Sequence, residues 1–307
     1  MIGIEEIGSY IPAKKISNYS RQEKFDITAE FIKDKIGVEY VAIRDHLEES
    51  SDLCVKAYEN LSKRVQLGPD DIDVIIVVTQ NPDYNLPHTS AIVHGRLGVS
   101  NDCACFDISL GCSGFVYALS VIQSFMEANK MKKGLLFTSD PYSKIIDPDD
   151  KNTSLLFGDA ACVTLITENP VYKTLDFTFG TIGKLYKDLI CADNTLYMNG
   201  RAVYNFAARV ISEDVLKILA KTGLTANDID RFVFHQGTKF IVDTLAKRLA
   251  LDPAKVVYDI YGYGNTVSSS IPILLEKELL LPEHKKILIS GFGVGLSWSS
   301  SILQRIR

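Results

Sequence analysis

The 307-residue chain lacks most of the spacings that mark metal and nucleotide sites. Its six cysteines (54, 103, 105, 112, 162 and 191) form no CxxC pair and have no histidine beside them at zinc-like spacing. Neither a metal site nor a disulfide scaffold is therefore expected. GxGxxG is missing, which leaves dinucleotide binding without support, and no glycine-rich loop runs into Lys-Ser/Thr as a P-loop must. Positive charge is in deficit: 33 Lys+Arg against 38 Asp+Glu leave a net charge of −5, which argues against an electrostatic nucleic-acid binder. The opening MIGIEEIGSYIP places Glu5 and Glu6 where a signal peptide carries basic residues, and it has no long apolar stretch. A cytoplasmic, reducing location is expected. The longest uncharged run, Ile108 to Met126, contains two glycines, four serines and a glutamine, so it reads as a buried core helix and not as a membrane span.

What is present points to an α/β protein. At 46% hydrophobic and 23% charged, the composition lies far from that of disordered chains. Apolar runs at 74–79, 135–138, 162–167, 232–234 and 287–289 read as strands covered on both faces. Helical patterns over about 52–66, 88–97, 113–130, 202–222, 238–250 and 268–280 alternate with them. The two halves also echo one another. DDIDVIIVVTQ at 70–80 is matched by NDIDRFVFHQG at 227–237, Phe106-Asp107-Ile108 by Tyr258-Asp259-Ile260, and KKGLL at 132–136 by KKILI at 285–289. Matches in one order at nearly one offset indicate a duplicated unit, with halves 1–168 and 169–307 and no low-complexity linker between them.

Four segments could carry chemistry. Cys112 sits in a Gly-Cys-Ser-Gly turn between an apolar strand and a long helix. A helix N-terminus favours thiolate, although a cysteine in such surroundings can equally be a small buried hydrophobe. His235 follows Arg231-Phe-Val-Phe, at the strand end where open α/β sheets bind ligands; a lone histidine there is often structural. The histidines at 46, 88, 94 and 284 read as surface or packing residues. Asn265, in YGYGNTVSSS before a helix, is a candidate donor, and asparagine is also a favoured turn residue. Finally, Ser290-Gly-Phe-Gly-Val-Gly-Leu-Ser-Trp reads as a strand entering a glycine-rich bend that brings backbone N–H groups near a ligand.

Their order, glycine-flanked Cys112, then His235, Asn265 and GFGVG, resembles the β-ketoacyl synthase III (3-oxoacyl-ACP synthase III) family of the thiolase superfamily. The resemblance runs from IGSYIP through FGDAA at 157–161 to GFGVGLSW. It implies a thiolase fold, with duplicated βαβαβαββ halves in a five-layered α-β-α-β-α body, and a homodimer. It implies a decarboxylating Claisen condensation of an acyl-CoA primer with a malonyl-thioester carried by acyl carrier protein, a step of fatty acid biosynthesis. Coenzyme A thioester is then a substrate, and no cofactor is permanently bound. Cys112 is the implied nucleophile, and His235 and Asn265 donate to the malonyl thioester oxygen. The backbone N–H groups of Cys112 and Val294 hold the oxyanion, and Phe292 favours carboxylate loss by desolvation. Phe31, Lys35, Lys151, Gly200 and Thr238 correspond to positions that bind coenzyme A, and Leu86 to one that reaches the partner's acyl pocket and limits primer size.

Departures from the family pattern concern recognition. HQANxRI reads His235-Gln-Gly-Thr-Lys-Phe-Ile241, which puts Phe240 in place of the carrier-docking arginine and Thr238 in place of an asparagine. Phe31 stands for a tryptophan that stacks on adenine, and Lys35 and Lys151 for arginines, so charge is kept while the planar fork is lost. Ser290 replaces the second cysteine a thiolase needs, and Val78-Thr79-Gln80 lacks the glutamate of hydroxymethylglutaryl-CoA synthases. Two other readings remain: an acyltransferase that passes the Cys112-bound acyl group to an alcohol or amine with His235 as general base, and a catalytically silent subunit or carrier-binding module.

Overall fold

In the computed structural model, which describes residues 2–307, nine strands form the main sheet: β1 (Gly3–Tyr10), β2 (Val74–Val78), β3 (Ala104–Ile108), β4 (Lys133–Ser139), β5 (Ala161–Thr167), β6 (Tyr172–Thr181), β7 (Arg231–Phe234), β8 (Lys286–Gly293) and β9 (Ser297–Arg305). They hydrogen-bond in the order β7-β8-β9-β6-β1-β5-β4-β2-β3. One arm pairs β1 with β5 and β5 with β4 antiparallel, then β4 with β2 and β2 with β3 parallel. The other arm runs the same way. β6 with β9 and β9 with β8 are antiparallel, β8 with β7 is parallel, and a parallel bridge from Phe232 to Val256 stands where β3 stands in the first arm. The arms join through Ile4 and Tyr172.

Helices complete five layers. Helices α1 (Ser50–Leu61) and α2 (Thr89–Leu97) cover the outer face of the first arm, and α5 (Ser212–Thr222) packs on β6 and β9 of the second. The middle layer is α3 (Gly114–Asn129) and α7 (Ser270–Glu278). α3 touches β2 and β4 on one side and β8 and β9 on the other. This explains the lack of charge from Gly114 to Met126: Phe115, Val116, Leu119, Ile122 and Met126 are buried between two sheets, where an ionised side chain would lose its hydration. A Cβ on Gly114 would lie 2.5 Å from Val78, so glycine there lets the helix seat on β2. The run 200–222 is one continuous helix, from α4 (Gly200–Phe206) to α5, with its middle turn Ala207–Ile211 wound as a π-helix. α6 (Lys239–Arg248) packs on that turn. No helix among the described residues is long and apolar enough to cross a membrane.

Candidate active site

Three chain segments converge on Cys112. β3 ends at Ile108, the chain turns through Gly111, and the sulfur lies just before α3, almost fully buried. The glycines of the C-terminal motif lie opposite. Gly291 and Gly293 belong to β8, and Gly295 to the turn after it; a Cβ on Gly293 would fall 2.9 Å from Cys112 Sγ and one on Gly291 2.7 Å from the Cys112 carbonyl. The strand must be bare there to pass the cysteine. Burial, aided by the charge of Asp140, pushes the Cys112 thiol well above its ordinary value, while the N–H groups of Cys112 and Val294 pull it down. The helix N-terminus expected to favour thiolate is present, but in the resting site desolvation outweighs it.

His235 directly follows β7 and is buried. Burial lowers its imidazole to about 3, so the ring is neutral near pH 7. Its Nδ1 lies 2.8 Å from Ser270 Oγ, and its ring meets Phe292 edge to face with centroids 5.4 Å apart. Asn265 is bridged to Phe157: its N–H donates to the Leu156 carbonyl (2.9 Å), and its own carbonyl accepts from Gly158 N–H (3.0 Å). The side-chain Oδ1 accepts from Val267 N–H at 2.9 Å. That bond fixes the amide and leaves Nδ2 as the group available to a ligand.

The sequence reading passed over the three serines that follow Asn265. Ser268 donates to Asp140, Ser269 bonds Thr138 Oγ1 at 2.8 Å, and Ser270 bonds His235. Asp140 also accepts from Gln80 N–H at 2.7 Å, and burial pushes its carboxyl up to about 6. The signal that could have found them is the run of three consecutive serines that begins three residues after a candidate donor.

A cavity of about 440 Å³ gathers Cys112, His235, Asn265 and Phe292 with Phe31, Lys35, Gly200 and Thr238 on its wall. Its mouth is aromatic: Phe240 stacks on Tyr204 at 5.0 Å with Lys35 Nζ 4.5 Å over its face. Thr238 caps α6 by accepting from Ile241 N–H, which commits its hydroxyl oxygen to the fold. Three expected residues, Lys151, Leu86 and Val294, lie outside this wall. Lys151 donates to the Phe25 carbonyl at 2.8 Å and sits 5.5 Å over the Phe31 ring, supporting that ring from behind. Leu86 is 87% exposed. A second hollow of about 840 Å³ includes Val294, Gln80 and Tyr142, and so reaches the other side of the cysteine.

Gly293→Ala is expected to slow acylation of Cys112 at least about fivefold, because overpacking costs about 1–3 kcal/mol and falls here on the sulfur. Alkylation of Cys112 by iodoacetamide should slow in parallel; an unchanged rate of both counts against this packing.

Comparisons with known proteins agree with this geometry. The chain matches the family model 3-oxoacyl-[acyl-carrier-protein (ACP)] synthase III over residues 106–183 and the C-terminal model of the same family over 219–305. It is 34% identical to beta-ketoacyl-[acyl-carrier-protein] synthase III of Caldanaerobacter subterraneus subsp. tengcongensis, covering 98% of this chain and 97% of the relative. Identity to the Campylobacter jejuni protein of the same name is 35% at the same coverage. The crystal structure of the Thermus thermophilus synthase III superimposes with a TM-score of 0.91 at 33% identity over 98% of each chain. Layer order, the converging cysteine, histidine and asparagine, and full-length similarity lead to one assignment: the chain belongs to the 3-oxoacyl-[acyl-carrier-protein] synthase III family.

Proposed function

We propose that this chain is a decarboxylating condensing enzyme that joins an acyl-CoA primer to a malonyl thioester and releases a 3-oxoacyl product. The observation that carries the proposal is the meeting of a buried thiol, a neutral imidazole and an oriented amide on one apolar cavity wall. In the first half-reaction Cys112 sulfur bonds to the primer carbonyl carbon and coenzyme A leaves with the proton the thiol gives up. The N–H groups of Cys112 and Val294 support the oxyanion. In the second, the malonyl carbon–carbon bond breaks, carbon dioxide leaves, and the electron pair passes into an enolate. His235 Nε2–H and Asn265 Nδ2–H hold the enolate oxygen. The enolate carbon then bonds to the acyl carbon, and Cys112 departs as thiolate.

Ser270 supports the needed tautomer. Its hydroxyl has His235 Nδ1 as hydrogen-bond partner, and donation to Nδ1 keeps the ring proton on Nε2. Phe292 offers a carboxylate no hydrogen bond, which favours its loss as neutral carbon dioxide. The acyltransferase alternative is disfavoured, since an imidazole held at about 3 is a poor general base for an alcohol or amine. An intact reactive set argues against a silent subunit.

Recognition follows from the mouth. Phe31 offers a flat face for the adenine of coenzyme A, and Lys35 and Lys151 offer charge to its phosphates or to an acidic carrier protein. Phe240 replaces a docking arginine, so carrier binding rests on the lysines and on apolar contact. We assign the body to halves 1–168 and 169–307, on the support of the mirrored strand order, and to a cytoplasmic homodimer. The edge position of β3 supports pairing with a second copy, and the exposure of Leu86 supports its reaching a partner's acyl hollow.

Intact-protein mass spectrometry tests the reading. The protein is loaded with short acyl-CoAs, then chased with malonyl-CoA or malonyl-carrier protein. The expected result is an acyl adduct discharged with release of carbon dioxide. An adduct that forms and persists with every malonyl donor overturns it.

A further inference from the structure

Outside the walls of both cavities, the fold builds a cluster that sequence spacing did not reveal. Cys103 stands just before edge strand β3 and Cys105 within it, and both pack against the apolar cluster that includes Val93 of α2. α2, which packs on β3, carries His94. The ligand atoms of His94, Cys103 and Cys105 all lie within 4.8 Å of one another. Donors around one tetrahedral zinc, with Zn–S about 2.3 Å and Zn–N about 2.0 Å, stand roughly 3.5–3.8 Å apart. Side-chain adjustment of under about 1 Å closes the difference.

The surroundings hold this geometry. His94 Nε2 is 3.0 Å from the Ser100 carbonyl, which restrains the imidazole ring. The same carbonyl accepts the Cys103 N–H at 3.1 Å, which ties the histidine and the first cysteine to one atom. Asp107 of β3 accepts from Thr89 N–H (2.6 Å) and Ser90 N–H (2.8 Å) at the start of α2, and so fixes the helix against the strand. All three residues are half-buried, so an ion can reach them.

We propose that His94, Cys103 and Cys105 form a three-donor site for a soft, thiophilic cation of the Zn²⁺ class, with the fourth position open to water or a further ligand. Two sulfurs and one imidazole nitrogen suit Zn²⁺ and disfavour Mg²⁺ and Ca²⁺, which take oxygen. The sequence-based expectation of no metal site rested on consecutive spacing; here the histidine arrives from the preceding helix.

The test uses reduced, chelator-treated protein carrying Cys112→Ala, which removes the active-site thiol as a competitor. Titration with Co²⁺ is expected to give a near-ultraviolet thiolate-to-cobalt band that saturates at one ion per chain and is displaced by Zn²⁺. Cys103→Ser, Cys105→Ser and His94→Gln should each weaken binding at least about tenfold, the lower end of what losing even an outer partner costs. Cys54→Ala should leave binding unchanged. In a second measurement needing no further variant, Zn²⁺ should protect Cys103 and Cys105 from alkylation, as mapped on peptides. Absence of the band, undiminished binding in Cys103→Ser, or equal alkylation with and without Zn²⁺ overturns the proposal. So does a reduced protein that takes up no cobalt but links Cys103 to Cys105 on mild oxidation, which marks a redox pair instead.

Discussion

Cys112→Ala is expected to abolish the acyl adduct with every primer and to lower condensation by at least about 10⁴-fold, the scale on which removal of a covalent nucleophile acts. Two observations set that size. The sulfur is the one cysteine on the cavity wall with His235 and Asn265, and Cys54 and Cys162 are buried in other packing, where burial pushes both thiols far up. No neighbouring thiol can stand in. The same variant should retain much of its malonyl decarboxylation, because His235 and Asn265 are held by Ser270 and by Val267 N–H, neither of which depends on the sulfur. Mass spectrometry of the acylated species and carbon dioxide release from malonyl thioester separate the two effects. An adduct that survives in Cys112→Ala assigns the nucleophile elsewhere.

The sequence disclosed the ends of this site better than its scaffolding. Strands β2, β4, β5, β7 and β8 are runs of apolar residues buried on both faces, and an uninterrupted run is a local signal. β9 gave no such signal. Its buried centre is Ser299-Ser300-Ser301, whose hydroxyls find partners only across the sheet, in Thr178 and Asp176 carbonyls and in Ser290. β6 and the hairpin Leu189–Ala192 with Thr195–Met198 are similarly mixed in polarity. For the site, Cys112, His235 and Asn265 were readable because each stands at a strand end or helix start marked by glycine or by its motif. Asp140 was not. It is an ordinary acid in sequence and becomes notable only when folding buries it beside Cys112 and Ser268. The same limit hid His94, which meets Cys103 and Cys105 across a helix–strand contact.

His235→Ala is expected to lower malonyl decarboxylation by about 10²–10³-fold, the usual cost of one donor in an oxyanion site, while acylation of Cys112 stays largely intact. Asn265→Ala should behave alike, because the two donors share one developing oxygen. Equal loss of both half-reactions overturns the division of roles. Ser270→Ala provides a finer reading: it leaves both donors present but frees the ring tautomer, so decarboxylation falls about tenfold, the value of one hydrogen bond of about 1.4 kcal/mol. The pH dependence follows from burial. An unfolded histidine protonates near 6.5 and His235 only near 3, so the ring stays neutral as pH falls from about 8 to about 5, and single-turnover decarboxylation should show no histidine inflection there. Between about 6.5 and about 3 the unfolded chain binds the extra proton, so this residue makes the native state lose stability as pH falls. Asp140, pushed up to about 6, acts in the opposite sense: the native state holds its proton where the unfolded chain does not, and its contribution to stability is lost as pH rises through about 6. Its charge faces Cys112, so an inflection near 6 belongs to acylation. Its appearance in decarboxylation, lost on His235→Ala, places a titrating histidine in the enolate step and removes the neutral-donor mechanism.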